Sequence, residues 1–510
     1  MCGIVGAYSV NWENVIPLTC ISAQFEQNRG GIYPQGVGLS DGRQTYTSSE
    51  PASQFYPRYF KSPQRHMSIA GLRYGTDGSR TDEGNIPPIE VDLGGLKTHI
   101  CHNGQIPYAS VLRDWIETKT SYKHKRTTDT ETLAAFLLNK ISEKGNVADG
   151  AKELVRELED AAFSVVAIMP NENTLVAFRD RNGYRPLYVY QNDKRGLYAI
   201  ASEDPALSNN PYINMDDGDI REVQPGEVIL IDTNGLKSHP SATPLIAPTP
   251  CKFERIYFAR PDTDDGLVCD NRIRLGKKLH ELNPVDGFYH VIPDSESGDY
   301  AAMGYAHASG MPMYKATPKE RYPIRLQDGA SLAQRSFMTF DDISRRSLAG
   351  SRLKLNRLVA DRDVFVTDSV IRGTVIRQNL NLLHAMGAKE VHVRVTFPPT
   401  TDVCHQGIDF RGAHELVMGK IDPDILDIYK NSHEVDQINA AMQEWANAYT
   451  QGSPNVASFC YMPIDGFEEV VGKGCMRCLG KDHDGGRYDG QIKLPPFLRE
   501  FSGREYIQYY

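Results

Sequence analysis

The sequence predicts an α/β protein with two domains. A chain of 510 residues is too long for one ordinary hydrophobic core, which favours two or three domains. In the first half, the pattern predicts two strands, "FSVVAIM" (163–169) and "TLVAF" (174–178), joined by the turn-forming residues "PNEN". In the second half, "DVFVTDSVIRGTVIRQNLNLLHAMGAKEVHVRVTF" (363–397) predicts a buried strand, a turn, a helix and another strand. We therefore expect paired strands in the first half and a βαβ unit of a parallel sheet in the second.

The bulk composition excludes several classes of function. The chain is 40% hydrophobic and 24% charged, and no stretch approaches the roughly 20 apolar residues that span a bilayer. A net charge of −9 argues against nucleic acid or an anionic membrane surface as the main partner, although a local cluster of donors can still bind a small anion. Nine cysteines, without a charged leader segment, predict a reducing cytoplasm rather than a disulfide framework.

The N-terminal segment "MCGIVGAYSV" predicts a strand that begins beside a cysteine. If Met1 is removed, Cys2 gains a free α-amine next to its own thiol. An α-amine has a reference pKa of about 7.7–8.0, so it can accept the thiol proton at neutral pH. The alternative is a small buried residue at the start of a strand, because free cysteine is among the most buried residue types.

Further segments of the first half favour the catalytic interpretation. They occur in the order "QNRGGIYPQGVG" (27–38), "GLRYGTDGS" (71–79), "CHNGQIPYASVLR" (101–113), "TTDTETLAAFLL" (127–138), "AAFSVVAIMPNENTLVAFRDRNGYRPLYV" (161–189), "ASEDPAL" (201–207) and "REVQPGEVILID" (221–232). This set resembles the glutaminase domain of class II glutamine amidotransferases. The resemblance implies the N-terminal-nucleophile hydrolase fold, an αββα sandwich, over residues 2–240.

The resemblance also implies a residue for each group that glutamine hydrolysis needs. A thiolate attacks the amide, preorganised donors stabilise the oxyanion, a cation binds the α-carboxylate and an anion binds the α-ammonium group. Taken singly, each residue has an ordinary alternative, since an "HNG" turn or a surface charge is common. The implied residues are Cys2 as nucleophile, Asn103 and Gly104 for the oxyanion, Arg73 and Thr76 for the carboxylate, and Asp129 for the ammonium group.

The turn at residues 368–374, beyond the Pro/Ser-rich segment 238–250, predicts a second binding site. Ligands of parallel sheets bind at the carboxyl ends of the strands, where this turn lies. It offers backbone N–H groups at a helix N-terminus, two hydroxyl groups and Arg372, a set that suits a phosphate monoester. The alternative is a generic connection between a strand and a helix.

This turn resembles the phosphoribosyl pyrophosphate motif of type I phosphoribosyltransferases. The matching segments around it are "CKFERIYFARPD" (251–262), "VIPDS" (291–295), "AAMGYAHASGMP" (301–312), "KERYPIR" (319–325), "RLKLN" (352–356) and "GIDF" (407–410). Together they resemble the glutamine phosphoribosyl pyrophosphate amidotransferase family, which joins this domain to a glutaminase domain. The resemblance implies an open parallel sheet with flanking helices over residues 251–460, followed by a C-terminal tail over 461–510.

The family resemblance further implies ligands and cofactors for the second domain. It implies Mg²⁺ at the pyrophosphate, a loop at 315–329 that closes over the substrate, and a homo-oligomer. The implied binding residues are Asp368 for the ribose hydroxyls and as a candidate Mg²⁺ ligand, and Ser369, Arg372, Gly373 and Thr374 for the 5-phosphate.

Residue 367 departs from the family pattern. The family usually has two adjacent acids in this turn, whereas here Thr367 precedes Asp368. Threonine brings no charge, and losing a charge-assisted hydrogen bond costs on the order of 1.5–3 kcal/mol. The pyrophosphate loop "PDSESGDYAA" (293–302) is also longer than usual, and "KERYPIR" replaces an Asn-Arg-Tyr…Gly-Arg pattern. These changes leave open a divergent enzyme that aminates a different activated sugar phosphate.

Four cysteines are candidates for metal binding. By itself, the "CMRC" motif of residues 475–478 indicates a redox couple, half of a zinc site or no function. The resemblance assigns a [4Fe-4S] cluster to four thiolates, with a structural or oxygen-sensing role, because the reaction transfers no electrons. The implied ligands are Cys251, Cys404, Cys475 and Cys478.

The sequence as a whole predicts a two-domain enzyme that channels ammonia. Glutamine is hydrolysed at Cys2, and ammonia displaces pyrophosphate from C1 of phosphoribosyl pyrophosphate, giving phosphoribosylamine and glutamate, as in purine biosynthesis. A divergent paralogue that acts on another sugar phosphate is the first alternative. The second is a non-catalytic regulator that senses nucleotides or oxygen, against which the complete set of glutaminase residues argues.

Overall fold

A computed structural model of the chain describes residues 2–31, 35–75, 78–79, 81–241, 249–264, 266–318, 354–408 and 412–508. The chain folds into two compact units. Unit 1 comprises Met1–Cys251, His405–Asp409 and Gly490–Tyr510, and unit 2 comprises Lys252–Cys404 and Phe410–Asp489. In the described ranges, no helix is long and apolar enough to cross a membrane.

Unit 1 is built on two antiparallel sheets. Its strands are β1 (Gly3–Ser9), β2 (Val37–Ser40), β3 (Thr45–Ser48), β4 (Met67–Leu72), β5 (Ile89–Leu93), β6 (Leu96–Gln105), β7 (Ala162–Met169), β8 (Thr174–Arg179), β9 (Tyr188–Asn192), β10 (Leu197–Ala201), β11 (Asp219–Glu222), β12 (Val228–Asp232) and β13 (Gly235–His239). Among the described residues, the first sheet has the order β11-β9-β10-β1-β4-β2-β3 and the second β13-β12-β8-β7-β6-β5. The predicted N-terminal strand and the predicted β7–β8 pair are both present.

The two sheets pack face to face. Ile4 and Tyr8 of β1 belong to the same buried cluster as Val166 and Ile168 of β7. Strand β1 comes so close to the second sheet that a Cβ atom on Gly6 would lie 2.6 Å from Cγ1 of Val166. Apolar side chains that alternate along the strands therefore fill the space between the sheets.

Helices cover the outer face of each sheet. They are α1 (Ile16–Phe25), α2 (Ala52–Phe55), α3 (Ala109–Lys119), α4 (Asp129–Lys144), α5 (Val147–Glu157) and α6 (Pro205–Ser208). The buried residues of α1, α2 and α6 pack on the first sheet, and those of α3, α4 and α5 pack on the second. The predicted αββα sandwich is confirmed.

Unit 2 is built on a parallel sheet. Strands β14 (His290–Pro293), β15 (Arg362–Thr367), β16 (Glu390–Val395) and β17 (Asn455–Tyr461) are hydrogen-bonded in this order, and every neighbouring pair is parallel. The helices of unit 2 are α7 (Leu267–Leu282), α8 (Asp299–Ser309), α9 (Thr374–Ala385), α10 (Pro423–Ser432), α11 (Asp436–Thr450) and α12 (Ile464–Val471).

Helix α9 connects β15 to β16, which confirms the predicted βαβ unit. Ile376, Leu380 and Leu383 lie on its buried face, as their spacing predicts. Gly387 follows the end of the helix with a φ of +113°, a backbone conformation that favours glycine. The turn that precedes α9 therefore lies at the carboxyl end of β15.

Residues 490–508 belong to unit 1, although unit 2 precedes them in the chain. They form the paired strands β18 (Gln491–Lys493) and β19 (Tyr506–Gln508) around helix α13 (Pro496–Ser502). Leu498 joins the buried cluster that contains α3 and α4. The ring of Phe497 stacks on Phe136, with centroids 5.5 Å apart. This segment completes the core of unit 1.

Candidate active sites

The first candidate site surrounds Cys2, which directly precedes β1. The Cys2 backbone nitrogen donates a hydrogen bond to Oδ1 of Asn103 at 3.1 Å. The backbone N–H of Tyr74 donates to Cys2 Sγ at 3.3 Å, and Sγ faces the Tyr74 carbonyl oxygen at 3.6 Å. An N–H group directed at sulfur stabilises negative charge there. The arrangement fixes the sulfur in one position and suits a nucleophile.

Asn103 and Gly104 lie near the end of β6, beside Cys2. Asn103 is fully buried, and its Nδ2 has no hydrogen-bond acceptor in the part of the chain that the structure describes. A buried donor without an acceptor costs about 1–3 kcal/mol, which a bound anion would offset. Residue 104 must be glycine, because a Cβ atom there would lie 1.9 Å from the carbonyl oxygen of Ala162. The pair can present donors to an oxyanion close to the sulfur.

Two buried charges, Arg73 and Asp129, belong to the same unit. Arg73 follows β4, and its guanidinium donates to the Ser79 carbonyl at 2.9 Å. Asp129 is the first residue of α4, and its Oδ2 accepts the backbone N–H of Ile106 at 3.0 Å. Burial raises the pKa of Asp129 to about 6, against the lowering effects of that hydrogen bond and of the Arg73 charge. Thr76, the remaining predicted glutamine ligand, lies outside the described residues.

An ion-pair network that the sequence did not single out also reaches Cys2. Nε of Arg29 donates to the Cys2 carbonyl oxygen at 3.2 Å, and Nη1 pairs with Glu203 at 2.6 Å. Glu26 lies 3.7 Å from the same guanidinium, and all three charged side chains are buried. Arg29 stands in the matching segment "QNRGG", but residue type alone does not distinguish a buried arginine from an exposed one.

Residues 405–408 pack beside Gly104. The side chain of Gln406 donates to the carbonyl oxygen of Asp160 at 3.2 Å. A Cβ atom on Gly407, whose φ is +91°, would lie 3.0 Å from the Gly104 carbonyl oxygen. This segment therefore packs against the backbone of Gly104, whose N–H group is the predicted oxyanion donor. No local sequence pattern predicts this contact.

The second candidate site lies in unit 2, at the carboxyl ends of β14 and β15. The Thr367 hydroxyl lies 3.2 Å from Oδ2 of Asp294 and 3.3 Å from Oδ1 of Asp368. Burial, and then the charge of Asp294, raise the pKa of Asp368 to about 6, while the backbone N–H of Ser369 acts in the opposite direction. The turn thus gathers two carboxyl groups around one hydroxyl, although residue 367 is not acidic.

The helix N-terminus after this turn has the predicted form, but the predicted arginine is engaged elsewhere. Gly373, with a φ of +78°, precedes Thr374, the first residue of α9. A Cβ atom on Gly373 would also lie 2.8 Å from the Trp445 ring. The first-turn N–H groups suit a phosphate. Nε and Nη2 of Arg372, however, both donate to Oε2 of Glu415, at 2.8 and 2.5 Å.

The loop predicted to close over the substrate, 315–329, lies mostly outside the described residues, which resume at 354 after residue 318. The predicted pyrophosphate loop at 293–302 lies within the described residues. It runs from the end of β14 into α8, which begins at Asp299.

Three of the predicted cluster ligands, Cys404, Cys475 and Cys478, lie in unit 2, and Cys251 is the last residue of the first segment of unit 1. Lys252, which follows Cys251, donates to the carbonyl of Val471, close to the "CMRC" motif, at 2.8 Å. The N–H groups of Thr401 and Asp402, just before Cys404, donate to the Cys478 carbonyl at 2.9 and 3.1 Å. Four thiols are the donor set of a [4Fe-4S] cluster, so the residue types fit. No group of three or more His, Cys, Asp or Glu side chains is placed to hold a metal ion in the described ranges, and cluster binding stays a prediction.

Comparison with known proteins identifies the family. A family model described as a glutamine amidotransferase domain matches residues 81–209. The amidophosphoribosyltransferase of Pyrococcus horikoshii is 33% identical over 426 residues, which cover 82% of this chain and 86% of the relative. The amidophosphoribosyltransferase of Methanocaldococcus jannaschii is 29% identical and covers 99% of this chain and 100% of the relative.

Solved structures agree in fold over nearly the whole chain. The glutamine phosphoribosylpyrophosphate amidotransferase of B. subtilis, solved with ADP and GMP, superposes with a TM-score of 0.71 at 25% identity and covers 99% of this chain and 97% of its own. A structure described as the allosteric regulatory enzyme of purine biosynthesis has a TM-score of 0.75 at 24% identity, covers 98% of this chain and 99% of its own, and shows a shared fold. Because the Pyrococcus relative matches at 33% identity over most of both chains, this chain belongs to the amidophosphoribosyltransferase family of enzymes.

Proposed function

We propose that this protein is a glutamine-dependent amidophosphoribosyltransferase of the purine-biosynthesis type. It hydrolyses glutamine at Cys2 and passes ammonia to C1 of phosphoribosyl pyrophosphate, giving phosphoribosylamine, pyrophosphate and glutamate. The observation that carries the proposal is the arrangement at Cys2, where an N–H group faces the sulfur and the buried Nδ2 of Asn103 lacks an acceptor among the described residues.

Glutamine hydrolysis begins with the transfer of a proton from the Cys2 thiol to the α-amine that removal of Met1 exposes. Sγ then attacks the carbonyl carbon of the side-chain amide, and Asn103 Nδ2 and the Gly104 N–H donate hydrogen bonds to the oxyanion. The C–N bond breaks as the leaving nitrogen takes the proton back from the α-ammonium group and departs as ammonia. Water hydrolyses the thioester, which releases glutamate and restores the thiol.

Recognition of glutamine depends on the charges of its α-carboxylate and α-ammonium groups. The Arg73 guanidinium binds the α-carboxylate, and the Asp129 carboxylate binds the α-ammonium group. Arg29 acts on Cys2 rather than on the substrate, because its Nε is hydrogen-bonded to the Cys2 carbonyl oxygen at 3.2 Å.

Amination takes place at the turn that follows β15. Asp368 accepts hydrogen bonds from the ribose hydroxyls, and the turn from Ser369 to Thr374 binds the 5-phosphate through backbone N–H groups and hydroxyls. Ammonia attacks C1 as the bond from C1 to the pyrophosphate oxygen breaks, and the new amine loses a proton to pyrophosphate or water. When bound, Mg²⁺ supplies positive charge to the leaving pyrophosphate.

We further propose a [4Fe-4S] cluster as a structural or oxygen-sensing group, held by the four cysteines at 251, 404, 475 and 478. A bound cluster would cross-link the chain segments that carry these thiols. The test is iron and sulfide analysis of anaerobically purified protein, with Cys475→Ser as the ligand variant and Cys20→Ser, a buried cysteine outside the set, as the control. Protein that is folded, active and free of iron would contradict this proposal.

The deciding experiment is pyrophosphate release from phosphoribosyl pyrophosphate, first with glutamine and then with ammonia. We expect release with both nitrogen sources in the natural protein, and with ammonia alone in the Cys2→Ala variant. Silence with both nitrogen sources, together with Cys2-dependent glutamine hydrolysis, would favour the divergent enzyme that Thr367 suggests. Absence of glutamine hydrolysis as well would favour a non-catalytic protein.

A further inference from the structure

The carboxylate that residue 367 lacks has a substitute in the fold. Asp294 follows β14, and its backbone N–H donates to the Val366 carbonyl at 2.7 Å, which anchors it beside β15. Its Oδ2 lies 3.2 Å from the Thr367 hydroxyl, which is in turn 3.3 Å from Asp368 Oδ1. One hydroxyl oxygen is therefore within hydrogen-bond distance of two carboxylates, although its single proton serves only one of them at a time.

Several buried oxygen atoms around these two acids lack a hydrogen-bond donor in the described part of the chain. They are Oδ2 of Asp368, Oγ of Ser295 and Oδ1 of Asn379. These residues are exposed by only 3%, 1% and 1%. Asn379 is directly connected to the cluster, because its Nδ2 donates to Asp294 Oδ1 at 3.2 Å. Buried polar atoms normally have partners, so this group of orphan oxygens indicates a missing ligand.

The chemistry of the group identifies the class of ligand. All the orphan atoms are oxygens that can accept, and two carboxylates stand beside them, so the site suits a hard divalent cation. Mg²⁺ in particular binds through one or two carboxylates together with water and substrate phosphates. A carboxylate has about four lone-pair sites, and Oδ2 of Asp368 accepts no hydrogen bond in the described part of the chain.

We propose that Asp294 and Asp368, bridged by the Thr367 hydroxyl, form the two-carboxylate side of the divalent-cation site, with Asp294 supplying the charge that Thr367 does not. This inference rests on the proposed function, since the cation is the one that accompanies the phosphoribosyl pyrophosphate. The Thr367 hydroxyl holds the two carboxyl groups in position, so Thr367 is a positioning residue. The turn at 367–368 and the loop at 293–302 therefore act as one site.

The experiment compares binding of phosphoribosyl pyrophosphate with excess Mg²⁺ and with EDTA, measured by calorimetry. With Mg²⁺, Asp294→Asn is expected to weaken binding about ten- to a hundredfold, the effect of one charge-assisted contact. With EDTA, the same variant should bind as well as the natural protein or better, because a negative charge beside an anionic ligand has been removed. Equal weakening in both conditions, or no change in either, would overturn the inference.

Three further variants protect the test from a folding artefact. Asp361→Asn makes the same change of charge at the opposite end of β15, where Asp361 is exposed and paired with Lys389, and should leave the Mg²⁺ dependence unchanged. Thr367→Val, like Asp294→Asn, should make binding of phosphoribosyl pyrophosphate less dependent on Mg²⁺. Thr367→Ser, which keeps the hydroxyl, should retain the Mg²⁺ dependence. If Asp294→Asn does not fold, as judged by circular dichroism, an unchanged Mg²⁺ dependence in Thr367→Val would overturn the inference.

A second measurement separates this inference from the proposed function. Binding of Mn²⁺ alone is followed by the loss of the free-ion electron paramagnetic resonance signal, and it should weaken in Asp294→Asn and not in Asp361→Asn. Natural protein that binds Mn²⁺ in this way but never binds phosphoribosyl pyrophosphate would overturn the proposed function and support the cation site. If the natural protein turns over phosphoribosyl pyrophosphate and Asp294→Asn leaves Mn²⁺ binding unchanged, the proposed function is supported and the inference about Asp294 is overturned.

Discussion

The backbone N–H of Tyr74 points at the sulfur of Cys2 from 3.3 Å and connects the chain just beyond β4 to the start of β1. Because the donor is a backbone group, its position follows from the pairing of these strands, in which Gly3 lies opposite Leu72. The sheet itself therefore places the nucleophile, and side chains from the second sheet complete the site.

Removal of the Asn103 amide should affect the chemical step more than binding. We expect Asn103→Ala to lower kcat for glutamine hydrolysis about 10²–10³-fold, as loss of one oxyanion donor does elsewhere, with a much smaller change in KM. The control is Asn210→Ala, which also removes a buried amide, one that donates to the Leu18 carbonyl at 2.9 Å. That control should lower the melting temperature and leave kcat near the natural value. A fall in kcat of equal size in both variants would contradict the oxyanion role.

The affinity for glutamine should depend on the charge of Asp129. Burial raises its pKa from 3.8 to about 6, so the carboxylate that we propose as the ligand of the α-ammonium group is lost as the pH falls through about 6. With Cys2→Ala protein, in which no hydrolysis interferes, we expect calorimetry to show affinity falling about tenfold between pH 7 and pH 5. Asp129→Asn should bind weakly at both pH values. A flat profile in the Cys2→Ala protein would argue against Asp129 as the ligand.

The same ionisation has the opposite effect on stability. Because the pKa of Asp129 is raised in the folded state, folding favours the protonated form. This group therefore makes the protein less stable as the pH rises from 3.8 through about 6, and Asp129→Asn should remove that component of the pH dependence.

Glu415 is expected to compete with phosphate for Arg372. Nε and Nη2 of Arg372 contact the same oxygen of Glu415, at 2.8 and 2.5 Å, and a phosphate that recruits Arg372 must displace these contacts. We expect Glu415→Gln to tighten binding of ribose 5-phosphate about three- to tenfold, since a neutral amide holds the guanidinium less strongly. In the Arg372→Ala background the same change should have no effect. An effect of equal size in both backgrounds would show that Glu415 acts independently of Arg372.

The C-terminal segment should contribute measurably to the stability of unit 1. Lys140 Nζ lies 5.0 Å from the ring centroid of Phe136 and 6.0 Å from that of Phe497, which stacks on Phe136. Phe497→Ala should lower the free energy of unfolding by about 1–3 kcal/mol, because it removes apolar burial and part of the cation–π contact. Fluorescence of Trp115, whose ring centroid is 5.3 Å from that of Phe497, reports the transition.

The control for this prediction is Phe501→Ala, on the same helix α13, where the side chain is exposed. It should change the free energy of unfolding by less than about 0.5 kcal/mol, as substitutions at exposed positions usually do. Equal destabilisation by both variants would show that helix content, rather than the contact with unit 1, is responsible.

Local pattern was enough to predict the principal elements of the fold. The strand pair around "PNEN" and the βαβ unit at 363–397 depend on periodicity and turn residues within a few positions of each other. Residues 405–408 and 490–508 pack in unit 1 through contacts with residues hundreds of positions earlier, such as Phe497 with Phe136. No periodicity within those short segments indicates where they pack.

The candidate sites, like the fold, could be predicted from the sequence only in part. The sequence predicts that Asn103 and Cys2 act together, and the two are hydrogen-bonded. It does not predict that Arg372 is bound to Glu415, or that the Thr367 hydroxyl faces Asp294, because pairings of side chains between distant segments depend on how the elements pack. The absence of an acid at residue 367 was visible in the sequence, whereas its neighbour Asp294 required the structure.

The packing of residues 490–508 against α3 and α4 has a consequence for synthesis. A ribosome delivers the β-sheets of unit 1 first, then all of unit 2, and only afterwards the segment that carries Leu498 into the core of unit 1. The core of unit 1 thus stays incomplete until the end of translation, and apolar surface on α3 and α4 is exposed until residues 490–508 have been made. Such a nascent chain offers a chaperone a binding surface for as long as the remainder is being made.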